Sequence, residues 1–125
     1  ELALAATAPP LQLKGNALKL LPGALARVPA NALPIVTTTW ALSKFSTDGR
    51  HRFLKHLEEA AADRPVAWVS AEGVGVAPAI STFGDRRASG HSILGITVCH
   101  GSTVNAEAVG RCWSRGHFLE WHPEA

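Results

Sequence analysis

The groups able to do chemistry in this sequence are a few acids, six histidines, two cysteines and the hydroxyls and indoles around them. Glu72 is the most suggestively placed acid. It follows the apolar run Val66, Ala67, Trp68, Val69 in "RPVAWVSAEG", where a buried strand stops. A carboxylate at the carboxyl end of a parallel strand sits where open α/β sheets place ligands, and there it can act as a catalytic base or bind a cationic ligand. The plainer readings are an ion pair or an acid at a helix start. Trp40 closes a second β-branched run, "ALPIVTTTWAL", and faces the same crevice if the two strands are adjacent. It either walls a pocket, with Thr39 beside it, or packs in the core with its N–H satisfied. Ser70 lies on the same rim.

His100, His117 and His122 with Cys99 and Cys112 look like a metal set by count. Spacing argues against it. Cys99 and His100 are adjacent, so on a strand they point to opposite faces, and Cys112, His117 and His122 do not follow zinc-ligand spacing. No metal is expected, and neither a nucleophile elbow nor an HExxH helix occurs. His117 and Trp121, in "RGHFLEW", are expected to fix the last strand or to rim the crevice against substrate. The two thiols are expected free: Cys99 falls beside a turn and Cys112 about seven positions beyond it, too far for a disulfide.

These groups need a scaffold, and the composition supplies one domain. The chain has 125 residues, 46% hydrophobic and 18% charged, with 12 basic against 10 acidic side chains. That suits a single core over residues 1–125, and so even a charge balance gives no case for nucleic acid. No apolar stretch reaches membrane-spanning length, and "ELALAATAPP" lacks the pattern of a signal peptide, so a cytoplasmic protein is expected. There is no methionine; the expectation is the carboxyl-terminal part of a longer chain.

Along the chain, residues 1–8 read as a helix end stopped by Pro9 and Pro10. "LQLKG" alternates as a strand, Asn16 is a credible N-cap, and Pro22-Gly23 should divide "ALKLLPGALARV" into a turn and a short helix. Residues 32–42 form the candidate central strand, covered on both faces. A cap at Ser46 or Thr47 starts a helix carrying Phe53, Leu54, Leu57 and Ala61 on one face, and the strand at Val66–Val69 completes a crossover unit. The glycine-rich residues 73–91 read as a long loop. Leu94, Ile96 and Val98 then share one strand face, a turn falls at His100-Gly101-Ser102, and Val104, Ala106 and Ala108 alternate before "HFLEW".

Four stretches taken together, "LKGNALKLLP", "VTTTWALSKFS", "DRPVAWVSAEG" and "RGHFLEW", resemble a bacterial domain-of-unknown-function family whose members look like class I, Rossmann-like methyltransferases. The resemblance implies a three-layer α/β fold with parallel central strands at Leu11–Lys14, Ile35–Thr39 and Val66–Ser70 and a closing antiparallel hairpin. It implies S-adenosylmethionine as cofactor of a full-length protein, with Asn16, in "GNA" where the family pattern has a "GDA"-like turn, contacting adenine unless it only caps its helix. The glycine-rich turn and the second-strand acid that hold this cofactor are absent here, and "EGVGVAP" matches no complete fingerprint. So this chain alone is expected to hold no cofactor, and its unpaired third strand implies a homo-oligomer or a missing amino-terminal half. The rival reading is a non-catalytic binding or assembly module on the same scaffold, with a small-molecule ligand still open to it.

Overall fold

The computed structural model describes residues 6–113 and 115–122. Helix α1 (Ala17–Ala26) begins where Asn16 accepts the Lys19 N–H at 3.2 Å, an N-cap as expected. Pro22 does not divide it. A proline there removes only the bond to the Leu18 carbonyl, and packing of α1 on its neighbour outweighs that loss. Helix α2 (Thr47–Ala60) is capped by Ser46, whose hydroxyl accepts the Gly49 N–H at 3.1 Å. It buries Phe53 and Leu57, and Ala61 just past its end is buried too.

Among the described residues five strands follow the order β1 (Ile35–Thr39), β2 (Val66–Gly73), β3 (Ser92–His100), β4 (Thr103–Cys112) and β5 (Leu119–Trp121), each paired with the next. Only β1 and β2 are parallel, joined by α2; the other three pairings are antiparallel. The expected three-layer Rossmann-like sheet is therefore overturned: this is a small mixed sheet with α1 and α2. Two further expectations fall with it. Ile35–Thr39 is an edge strand rather than the central one, with Ile35 60% exposed. Leu11–Lys14 is not a strand; Leu11 and Leu13 stand exposed, because alternation yields a strand only where another edge accepts its hydrogen bonds. Of the helix expected over residues 1–8, residues 1–5 lie outside the described residues and 6–7 are helical.

Register sorts the sheet into two faces. Val66, Trp68, Ser70 and Glu72 of β2 align with Cys99, Thr97, Gly95 and Ile93 of β3, and all point to the helical side. Trp68 is its centre, fully buried, edge-on to Phe53 at 5.0 Å and donating its N–H to the Thr38 hydroxyl at 3.0 Å. The opposite face carries Ile35, Val69, Ile96 and Val98, all 36% exposed or more, and by register Leu119 and Trp121 of β5. An apolar set on both faces is the composition of a strand meant to be covered twice.

Candidate functional site

Glu72 lies inside β2 rather than beyond it, and its side chain is 1% exposed. A buried carboxylate needs partners for both oxygens. It has them: Oε1 accepts the Leu42 N–H at 3.1 Å and Oε2 the Ala41 N–H at 3.2 Å. These are the donors that open a 3-10 turn, Leu42–Lys44. Arg50 of α2 grips the same turn from its carbonyl side, Nε to the Leu42 oxygen at 3.0 Å and a terminal nitrogen to that of Ser43 at 3.3 Å. Glu72 thus takes the helix-start role weighed for it in the sequence.

Trp40 does not face Glu72. Its indole N–H donates to Ser92 Oγ at 2.6 Å, and its ring lies where a Cβ on Gly73 would touch it at 3.3 Å. Ser92 and Gly73 are register partners of the outward face, so the chain passes over the sheet end with Trp40 on one side and Leu42, fully buried, on the other. Trp40 has φ of 50°, a costly conformation for a bulky residue, which the indole bond and this packing hold in place. Thr39 ends β1 exposed, and Ser70 is buried with its hydroxyl directed to the Gly95 carbonyl at 3.5 Å. His117 and Trp121 are exposed at the far side of the sheet, on and before β5.

Asn16 borders a separate depression of about 360 Å3 with Lys19, Arg52 and His56. Asn16, Thr39 and Trp40 therefore do not close around one space. Glu72, Trp40 and Ser70 of the predicted crevice already bond within the chain. Among the described residues no three His, Cys, Asp or Glu side chains converge to hold a metal. Cys99 and Cys112 are free thiols, and burial pushes that of Cys99 up. No described helix is long and apolar enough to cross a membrane.

A second polar cluster was not legible in the sequence. Asp85, in the loop after β2, receives Arg111 of β4 through two bonds, at 2.6 and 3.1 Å, and His91 Nε2 at 2.8 Å. Arg111 also reaches Glu120 at 3.1 Å and lies 4.5 Å over the Phe83 ring. The two Arg111 bonds, then that of His91, hold the Asp85 carboxyl down at about 2. This lock pins residues 74–91 to the sheet and leaves Arg87, two residues on, with no hydrogen-bond or ion-pair partner of its own among the described residues. At the other end of the fold, Arg64 donates to the carbonyls of Leu25, Val28, Pro29 and Ala32, closing off the carboxyl end of α1. That guanidinium lines a mixed-charge cavity of about 350 Å3 with His56, Glu59 and Asp63, but both of its terminal nitrogens are engaged by carbonyls.

The outward sheet face leaves Ile35, Val69, Ile96 and Val98 uncovered. A shallow depression of about 380 Å3 between Ile96, Val98, Asn105 and Glu107 marks its middle. Among the described residues Glu107 is the one carboxylate that register places on the face.

Comparison with curated proteins and with solved structures finds no match, so nothing there supports the likeness to methyltransferases. Over residues 1–121 the sequence matches the family described as an uncharacterised protein conserved in bacteria (DUF2332), and the chain belongs to that family.

Proposed function

We propose that this chain is a non-catalytic assembly module that buries its outward sheet face against a second copy of itself. The observation that carries the reading is the cluster Val69, Ile96 and Val98, 43%, 36% and 37% exposed in the middle of a sheet. Exposed apolar side chains are ordinary singly; a contiguous set across neighbouring strands marks a contact surface. The engagement of Glu72 and Trp40 with the chain's own backbone and with Ser92 supports the non-catalytic half of the proposal.

Charge favours a second copy. The face is neutral over β1, β2 and β3, so a two-fold axis lying along the strands at the β2–β3 centre sets Val69 of each copy on Ile96 of the other and keeps Glu107 away from its symmetry mate. Size sets the strength. Four strands spaced about 4.8 Å, averaging about eight residues at about 3.3 Å each, project roughly 500 Å2. That is below the roughly 800 Å2 per partner of a standard stable interface, which puts the pairing among transient contacts with a dissociation constant on the order of 10 µM. Sedimentation equilibrium over a concentration series tests it: a monomer–dimer equilibrium is expected for the parent and a monomer for Ile96→Lys. A parent that stays monomeric at millimolar concentration, or an Ile96→Lys protein that dimerises equally, refutes it.

A further inference from the structure

We infer that the cavity between the start of α2 and the loop after β2 is a binding site for a small phosphorylated molecule, separate from the sheet face. The cavity measures about 330 Å3 and is bordered by Thr47, Arg50 and His51 on one side and by Gly75, Ala79 and Arg87 on the other. Among the described residues no carboxylate lines it. Its volume is at the small end of ligand sites, enough for a phosphate and a short attached group.

The two arginines differ in a way that suits such a site. Arg50 is fixed, because two of its nitrogens already hold the Leu42 and Ser43 carbonyls. Arg87 is positioned by shape rather than by a bond: a Cβ on Gly75 would stand 3.2 Å from its Nε, so glycine at φ of 75° is what allows the guanidinium to lie against the loop. Since an arginine keeps its charge at every physiological pH, an unpaired guanidinium walling a cavity is an anion receptor, and its planar donor fork matches phosphate oxygens two at a time.

His51 Nδ1 lies 2.9 Å from the Thr47 carbonyl and donates to it, so Nε2 of the neutral ring is an acceptor and His51 lines the cavity without adding a donor. The positive end of the α2 dipole favours an anion; Asp48 in that turn does not border the cavity. The Asp85–Arg111–His91 lock anchors the loop backbone, so ordering on binding is confined to the Arg87 side chain.

The test is calorimetric titration of the whole chain with inorganic phosphate, pyrophosphate and glycerol 3-phosphate at low ionic strength, since salt screens exposed charge. Saturable one-site binding with a dissociation constant near or below about 1 mM is expected. Arg87→Ala should weaken it by about tenfold or more while leaving the ligand-free melting curve unchanged, because the side chain has no partner to lose. Arg86→Ala, next to it but outside the cavity, should bind as the parent does. No saturable binding, equal binding by Arg87→Ala, or equal weakening by Arg86→Ala, which would mean diffuse charge, each overturns the inference.

Discussion

Replacing Glu72 with glutamine separates a structural carboxylate from a chemical one. In the folded chain its two oxygens hold two backbone donors, Ala41 and Leu42, at a place sealed from water. Glutamine keeps one acceptor and turns an NH2 toward the other N–H, so one donor loses its partner and the remaining bond loses its charge. An unsatisfied buried donor costs about 1–3 kcal/mol, and the weakened bond about 1 more. The expected loss is about 2–4 kcal/mol, against a total of roughly 5–15 kcal/mol for a domain. With a urea dependence of about 1.5 kcal/mol per molar, the midpoint followed by tryptophan fluorescence should fall by about 1.3–2.7 M. Glu72→Ala, which orphans both donors and leaves a void, should lose about 4–6 kcal/mol. A Glu72→Gln protein within about 0.5 kcal/mol of the parent would refute the reasoning, since that is the range of an ordinary surface substitution.

Gly95 is the close approach of the core: a Cβ there meets Ile80 Cδ1 at 2.6 Å and Ser70 Oγ at 2.7 Å. Gly95→Ala should therefore destabilise by about 1–3 kcal/mol in the same denaturation assay. Asp85 gives a pH signature. Its carboxyl is held at about 2, below the ordinary 3.8, by Arg111 first and His91 second. A group lowered in the folded state contributes fully above its unfolded value and loses that contribution as pH falls through its folded one. The stability difference between the parent and Asp85→Asn should therefore be constant above pH about 4 and vanish toward pH about 2, read from urea midpoints across that interval.

Local signals in the sequence carried well wherever they were self-contained. Asn16 and Ser46 cap their helices as their types require, Phe53 and Leu57 turn inward, and the β3–β4 hairpin turns where its glycine stands. The free thiols follow from that register, which aligns Cys99 with Val104 and Cys112 with Ser92. Membership in a bacterial family of unknown function was legible too. The global arrangement was not. "IVTTT" has the composition of a buried strand, but composition reports what a strand is suited to and not whether anything covers it, so Ile35–Thr39 could stand at an edge. Alternation in "LQLK" says nothing of a pairing partner. At the candidate site the condition that β1 and β2 be adjacent is met, yet period-two alternation within β2 already sends residues 72 and 73 to opposite faces, which separates Glu72 from Trp40. Asp85, His91 and Arg111 meet across 26 residues through a loop without periodicity, and no spacing rule could have assembled them.

Contact with a second copy through the outward sheet face is open to direct measurement. Methyl-resolved NMR on a dilution series reads it directly. The methyls of Val69, Ile96, Val98 and Ile35 should shift together with concentration, tracing one dissociation constant, while those of the buried Leu42 and Leu57 stay fixed. Spectra that do not change with dilution, or shifts centred on the helical side of the sheet, would contradict it.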